Sequence, residues 1–179
     1  MNAPTRDLAL LAFGFALLVL QTTALAPLFV PPFTPNLLLP LVVFLGVVQD
    51  LPIARGALMA FVLGYLMDLF GGSSMSVQTF LFVALFLLAR GAGLRLFLRN
   101  PGFQFMLTFV LALLVGAATL ALRAIFGQPA AFASGSAFGA ARGLLVPAVT
   151  TAAVAPLVFP LTQRLWTGLG RGRDEAAAA

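Results

Sequence analysis

One acidic residue lies inside an otherwise apolar stretch, which makes it the first candidate for chemistry. Asp68 follows Gly56, Ala60 and Gly64 at steps of four residues. On a helix, this spacing places all four on one drifting face. Because a charged side chain within a membrane span costs about 2.5–3.5 kcal/mol on insertion scales, such a residue usually has a partner. Three interpretations stay open: Asp68 caps amides of the following loop, anchors helix packing as a buried polar group or ion pair, or carries a proton or substrate.

The chain offers little else from which to build a reaction centre. It has no cysteine and no histidine, and two of its five acids, Asp174 and Glu175, lie near the C-terminus. Nucleophilic triads, thiol chemistry and the common metal sites are therefore excluded. A phosphate-binding loop of the G-x-x-x-x-G-K-[ST] type is also absent from the sequence. We predict that the protein is not an enzyme and binds no cofactor or metal.

The composition is that of a membrane protein. Hydrophobic residues make up 61% of the chain and charged residues 8%, against about 25% charged in soluble domains. All ten basic residues are arginines, and the net charge is +5. These arginines lie between apolar stretches, where membrane topology and contact with membrane lipids explain them better than nucleic acid does. We expect no nucleic-acid partner.

Hydropathy predicts an all-α integral membrane protein with six transmembrane helices. A bilayer core of about 30 Å requires roughly 20 apolar residues per helix, and six stretches qualify. We expect one six-helix domain over residues 1–163 and a basic, disordered cytoplasmic tail over residues 164–179. The predicted spans cover about residues 8–26, 36–49, 56–70, 77–90, 103–122 and 137–161.

The placement of arginines predicts the orientation of these spans. Cytoplasmic loops of membrane proteins carry an excess of Lys and Arg. With the N-terminus inside, eight of the ten arginines fall on the cytoplasmic side, whereas Arg123 and Arg142 fall near the outer face. Both termini are therefore expected in the cytoplasm.

Arg142 is the first candidate partner for Asp68. The sixth span repeats the small-residue spacing at Gly135, Gly139 and Gly143. Small residues at four-residue spacing let helix backbones approach closely in membranes. We therefore predict that spans three and six pack through their small faces, with Asp68 and Arg142 paired near the outer surface. Arg123 is the competing partner.

Two further features leave alternatives open. Arg90, Arg95 and Arg99 form a cytoplasmic basic cluster that either fixes topology or docks a cytoplasmic partner or anionic lipid. Two uncharged outer loops, at residues 27–36 and 127–136, either connect spans or contact an extracytoplasmic partner. Self-association of the chain is also left open.

Several short motifs between Pro35 and Ala89 resemble one family. They are Pro35-Asn-Leu-Leu-Leu-Pro-Leu-Val-Val-Phe-Leu45, Arg55-Gly56, Gly64-Tyr-Leu-Met-Asp68 and Gly71-Gly72 before a Ser/Met/Gln-containing turn. Together they are similar to the rod shape-determining protein MreD. The chain departs from the family pattern at Asn36, where an acid is frequent, and at Ser76 and Gln78, where Gly and Asn are frequent.

The resemblance implies a non-enzymatic component of the rod (elongation) complex in the bacterial inner membrane. Such a protein is expected to associate with MreC and, indirectly, with the elongation transpeptidase, RodA and MreB during lateral peptidoglycan synthesis. The family's fold is also similar to the substrate-binding subunits of energy-coupling-factor transporters. The alternative is therefore a small-molecule transport subunit. Several polar groups around a pocket near Asp68 would favour transport, whereas a groove closed by glycine contacts would favour a scaffold.

Overall fold

Six helices account for nearly all of the chain that the computed structural model describes, which is residues 3–25, 35–48, 51–71, 77–91, 101–125 and 137–177. The all-helical prediction is confirmed, because these ranges contain no strand. The helices are α1 (Ala3–Leu20, continued by a π-helical turn at Gln21–Leu25), α2 (Leu38–Val47), α3 (Ile53–Gly71), α4 (Val77–Gly91), α5 (Pro101–Ile125) and α6 (Ala137–Ala177).

Four of the helices are long and apolar enough to cross a membrane. Their qualifying segments are Arg6–Thr23, Ile53–Phe70, Pro101–Leu122 and Ala141–Gly168. The other two, Leu38–Val47 and Val77–Gly91, are apolar but shorter. Each predicted span overlaps one helix, and the long apolar helices define an α-helical membrane protein.

The shortest helix, α2, lies at the centre. All ten of its residues are buried, and it contacts each of the other five helices. A helix that is apolar on every side has no solvent-facing stripe and is stable only when surrounded. Its first turn is capped by Asn36, whose Oδ1 accepts from the amides of Leu38 at 3.2 Å and Leu39 at 3.3 Å. Gln21 completes the cap, because its Oε1 accepts from the Leu37 amide at 2.9 Å.

The remaining helices pack around α2 as two neighbouring pairs and α1. The closest partners are α5 with α6 and α3 with α4, and both pairs are consecutive in the chain. Helix α4 also packs on α2, and α6 reaches both α2 and α1. Consecutive elements usually lie side by side, since a short connection leaves few alternatives.

The two ends of the bundle carry different polar groups. At what we call the Arg55 end, Arg55 on α3 lies 3.9 Å from Asp7 on α1. The C-terminal ends of α2 and α4 also meet there, where Arg90 Nη1 donates to the Val48 carbonyl at 2.6 Å. At the opposite Asp68 end, α3 finishes and α2 and α4 begin.

Helix α6 extends well past the end of the predicted span at Leu161. It has 41 residues, which is about 60 Å of helix, and runs through Pro147, Pro156 and Pro160 to Ala177. The expectation of a disordered tail from residue 164 is therefore wrong for the described part of that segment. Adding residues to an existing helix needs no new nucleus. Trp166 also packs partly buried against the core, which holds the start of the extension in place.

Candidate functional site

The Asp68 carboxyl group is buried and bonded to the beginning of the next helix. Its side chain is 7% exposed. Oδ1 accepts from the Gln78 amide at 3.1 Å, while Oδ2 accepts from the Thr79 amide at 2.9 Å and the Thr79 hydroxyl at 2.6 Å. The first amides of any α-helix lack partners within the helix. Asp68, in the last turns of α3, therefore caps α4 from outside, and its negative end faces the positive end of the α4 dipole.

Gly64 lies one turn before Asp68 and meets the same turn of α4. A Cβ atom added to Gly64 would lie 2.6 Å from Thr79 Cα and 3.0 Å from the Gln78 carbonyl oxygen. These are main-chain atoms, which cannot rotate away as a flexible side chain does. Gly64 thus lets the two backbones touch, and Asp68 bonds across that contact.

The rest of the small face continues down the same boundary between α3 and α4, which we call the α3–α4 seam. Ala60 is fully buried. Gly56 faces the Phe86 ring, which a Cβ on Gly56 would overlap. Gly56, Ala60, Gly64 and Asp68 therefore act together on one neighbour, as their spacing predicts, and that neighbour is α4.

The predicted packing of span three on span six is wrong for the described residues. Helices α3 and α6 share no extended contact; α6 packs mainly on α5 and α2. Within the α6 ladder, Gly139 is partly buried in the first turn and Gly143 is buried, while Gly135 lies outside the described residues. The reason is that a small face identifies where a close approach occurs but not which helix makes it.

The arginines proposed as partners of Asp68 lie on the other pair of helices. Arg142 is on α6 with an exposed side chain, and Arg123 is on α5 with a side chain outside the described residues. A bond from Asp68 to either arginine stays a prediction. In the basic cluster, Arg90 bonds Val48 as described above, while Arg95 and Arg99 lie outside the described residues.

A cavity of about 370 Å³ opens beside the α3–α4 seam at the Asp68 end. It separates α2 and α4 from the α5–α6 pair. The wall is mostly apolar, with four uncharged polar side chains. The lining residues are Asn36, Leu39, Gln78, Ala112, Val115, Gly116, Thr119, Leu120, Gly143, Leu144, Pro147, Ala148 and Thr151.

Most of the polar groups in this wall are bonded. Thr151 Oγ1 accepts from the Asn36 amide at 3.0 Å, and the Thr119 hydroxyl donates to the Val115 carbonyl at 2.8 Å. Gln78 is different, because its Oε1 is buried and has no hydrogen-bond partner among the described residues. A buried acceptor without a donor costs about 1–3 kcal/mol. The wall therefore contains an unbonded acceptor, which a turn of the Gln78 side chain would bring to the cavity.

Gln78 joins the cap to the cavity. Its amide is held by Asp68, while its side chain lines the cavity. By holding the Gln78 amide, Asp68 helps to position the Gln78 side chain in the cavity wall. Sequence reasoning missed Gln78, Asn36, Thr119 and Thr151 as site residues. The available signal was that each is an uncharged polar residue in or beside an apolar span, where polar groups commonly mark functional positions.

This arrangement has no features of a metal centre in the described residues. No group of three or more His, Cys, Asp or Glu side chains within those ranges is placed to hold a metal ion. What the geometry provides is a rigid seam, a capped helix end and an uncharged recess beside it. Such a recess can hold an apolar or hydrogen-bonding group without any bond being made or broken.

The outer surface of the bundle is largely apolar. Large apolar side chains stay exposed on the outward faces of the helices, among them Leu58, Phe80 and Leu157 at 63%, 64% and 65% exposure. Polar contacts are instead gathered inside and at the two ends. With its long apolar helices, this surface defines a multi-pass α-helical membrane protein.

Within that class, the family is identified by the sequence. The family model described as rod shape-determining protein MreD matches residues 6–165. The chain therefore belongs to the MreD family, which confirms the resemblance seen in its motifs and assigns it a part in determining rod shape. No curated protein matches the chain, and neither does any solved structure.

Proposed function

We propose that the protein is a non-enzymatic scaffold of the rod complex in the bacterial inner membrane and that it binds MreC at the cavity. Through MreC it would act on the elongation transpeptidase, RodA and MreB in lateral peptidoglycan synthesis. The observation that carries the proposal is the cavity beside the α3–α4 seam, with Gln78 Oε1 buried and unbonded in its wall.

The proposed topology has six spans with both termini in the cytoplasm. Arg6, Arg55, Arg90 and Arg164 belong to the Arg55 end, whereas Arg142 belongs to the helix end opposite. An excess of arginine marks the cytoplasmic side, so the Arg55 end faces the cytoplasm and the cavity faces outward. Helices α2 and α4 are about 15 and 22 Å long, which is short for a bilayer. As α2 is wholly enclosed by other helices, it needs no full-length contact with lipid.

The chemistry of the cavity suits an uncharged segment of a partner protein. Asn36, Gln78, Thr119 and Thr151 offer hydrogen bonds, and the other lining residues are apolar. Entry of a charged group would require its desolvation without an opposite charge among the lining residues, which is costly. A partner's apolar side chain would fill the space, and a nearby amide or hydroxyl donor would bond Gln78 Oε1 once that side chain turned toward the cavity.

The cavity also favours a second candidate, a substrate-binding subunit of a small-molecule transporter. Its volume falls within the roughly 300–1,000 Å³ of small-ligand sites, and it has several polar groups near Asp68. The scaffold is preferred because the chain belongs to a shape-determining family and because glycine contacts close the seam on one side. The two candidates differ in the protein that should co-purify with the chain: MreC for the scaffold and an ATPase coupling module for the transport subunit.

A pair of matched alanine substitutions on α5 tests the proposal. Ala112 lines the cavity and is 9% exposed, whereas Ala117, on the same helix, is exposed. We expect Ala112→Leu to fill the cavity and abolish co-purification of MreC in mild detergent, and Ala117→Leu to leave it unchanged. Thermal unfolding of both variants establishes that they are folded.

Two results would contradict the proposal. Undiminished recovery of MreC with a folded Ala112→Leu variant would remove the cavity from the binding site. Recovery of an ATPase coupling module from the unsubstituted protein, in place of MreC, would replace the scaffold with the transport subunit. Mass spectrometry of the purified material distinguishes these outcomes.

A further inference from the structure

Two pairs of side chains from three helices lie at the Arg55 end, and they are joined by the adjacent residues Arg6 and Asp7. The guanidinium carbon of Arg6 lies 3.7 Å from the centroid of the Trp166 ring. Arg55 Nη1 lies 3.9 Å from Asp7 Oδ2. We call Arg6, Asp7, Arg55 and Trp166 the Arg6–Asp7 cluster. It is separate from the cavity, which lies at the other end of the bundle.

Two atoms of this cluster are buried without a partner. Arg6 Nε and Asp7 Oδ1 are both inaccessible, and neither has a hydrogen-bond partner among the described residues. Burying the polar atoms of charged groups without hydrogen bonds is unfavourable. Stacking on Trp166 fixes the guanidinium plane, since an arginine over an indole face is held by cation–π attraction. Two adjacent charged residues therefore keep one unbonded donor and one unbonded acceptor, and Trp166 holds the guanidinium group of Arg6 in place.

We propose that the Arg6–Asp7 cluster binds the headgroup of a phospholipid that carries a primary ammonium group. The phosphodiester accepts hydrogen bonds from Arg6 and Arg55, and the ammonium donates to the Asp7 carboxylate, whose side chain is 19% exposed. Two guanidinium groups and one carboxylate match the order of charges in a phosphoethanolamine headgroup. Arginine forks are well suited to phosphate oxygens, and ammonium groups supply three donors.

The surroundings of the cluster favour a membrane lipid over a soluble phosphate compound. Leu8 follows Asp7 and is 68% exposed, and Ile53 precedes Arg55 by two residues and is 54% exposed. These apolar side chains would face acyl chains in a bilayer. Trp and Arg are also typical residues of the boundary between acyl chains and headgroups. A bound lipid would thus place its headgroup at the cluster and its chains along α1 and α3.

The chain contains its own reporter for this site, because Trp166 is its only tryptophan. The full chain would be reconstituted in vesicles of brominated phosphatidylcholine, which quenches tryptophan fluorescence. Unbrominated phosphatidylethanolamine or phosphatidylcholine would then be mixed in. Both headgroups carry a phosphate and a cation, but only ethanolamine has N–H donors. We expect phosphatidylethanolamine to relieve quenching roughly tenfold more effectively, the factor that a hydrogen bond between charged groups supplies.

Three variants assign the effect to named residues. Asp7→Asn should remove most of the preference for phosphatidylethanolamine over phosphatidylcholine. Arg55→Gln should weaken the binding of both lipids and leave the ratio of their effects on quenching unchanged. Arg164→Gln removes one exposed arginine near Trp166 and serves as the charge-matched control with no expected effect. Their tryptophan emission spectra in detergent, compared with that of the unsubstituted protein, report whether each variant is folded.

Three outcomes would overturn the proposal. The first is quenching of Trp166 fluorescence that depends only on the fraction of brominated lipid and is the same whether phosphatidylethanolamine or phosphatidylcholine dilutes it. The second is a folded Asp7→Asn variant that keeps the full preference for ethanolamine. The third is displacement by soluble glycerophosphoethanolamine as effective as by the lipid, which would identify a soluble phosphodiester as the ligand.

Discussion

The α3–α4 seam and the cavity lie side by side at the Asp68 end and are built in opposite ways. In the seam, Gly64 brings main chains into contact and every oxygen of Asp68 is bonded. In the cavity, Gly116 and Gly143 line the wall, a Cβ on Gly116 would meet only the end of the Leu144 side chain at 3.0 Å, and Gln78 Oε1 is buried without a partner among the described residues. Small residues thus close one boundary and leave the other open.

This difference indicates where the molecule is rigid and where it can bind. Inside a bilayer, helices gain little from excluding lipid, so close packing and interhelical hydrogen bonds must hold them together. The α3–α4 seam has both, whereas the boundary between α4 and the α5–α6 pair has an opening of about 370 Å³. A rigid seam that positions one wall of an adjacent cavity is suited to recognition, because the wall need not be ordered on binding.

The largest effect is expected from Asp68→Leu, which would test whether the seam depends on its hydrogen bonds. The substitution leaves the amides of Gln78 and Thr79 and the Thr79 hydroxyl without their acceptor. At about 1–3 kcal/mol for each buried group, the free energy of unfolding should fall by several kcal/mol. Thermal unfolding in detergent measures this loss.

Asp68→Asn is the matched control, since it keeps the shape and one acceptor oxygen. It should cost roughly half as much as Asp68→Leu. An unfolding temperature unchanged by Asp68→Leu would mean that the cap contributes nothing to the seam and that Asp68 has another role, such as the ion pair with Arg142.

The second effect, somewhat smaller, is expected from Gly64→Ala. The added Cβ would lie 2.6 Å from Thr79 Cα, so the seam must separate or distort. Overpacking of this kind typically costs about 1–3 kcal/mol. Gly91→Ala makes the same change at the end of α4, where an added Cβ meets nothing within 4 Å. The difference in unfolding temperature between the two variants measures the close contact; equal stabilities would show that the seam adapts to an extra methyl group.

The sequence predicted the helices well because their signal is local. An uninterrupted apolar stretch of sufficient length forms a helix in a membrane whatever surrounds it, since its amides must bond within the segment. The spacing from Gly56 to Asp68 likewise identified one packing face correctly. The length of α6 was missed because Arg164–Ala177 is polar and rich in glycine, and its helix is supported by a contact between Trp166 and Arg6 that no local pattern reveals.

The particular amides that Asp68 caps could not be predicted, for a different reason. The sequence left capping of the following amides open as one role of Asp68 and named Arg142 and Arg123 as charged partners, and a bond to either arginine stays a prediction. Two of the groups that bond Asp68 are the main-chain amides of Gln78 and Thr79, and amides are carried by every residue but proline, so they leave no mark in a sequence. The cavity could not be predicted either, because it is formed by the spaces between helices, which depend on how the helices cross and not on their composition.

The smallest effect on stability, and the sharpest separation of cavity from seam, is expected from Gln78→Leu. The amide of residue 78 would still donate to Asp68, so the seam is retained. Removing the unbonded Oε1 should leave the free energy of unfolding within about 1 kcal/mol or raise it, because a buried acceptor without a donor is lost. Binding of MreC, measured by co-purification, should nevertheless fall, since its donor would have no acceptor.

Thr79→Val provides the opposite control: it removes the 2.6 Å bond to Asp68, lowers stability modestly and leaves the cavity wall intact. If Gln78→Leu lowered stability as much as Thr79→Val while MreC remained bound, the Gln78 side chain would belong to the seam, and the cavity would have no separate role.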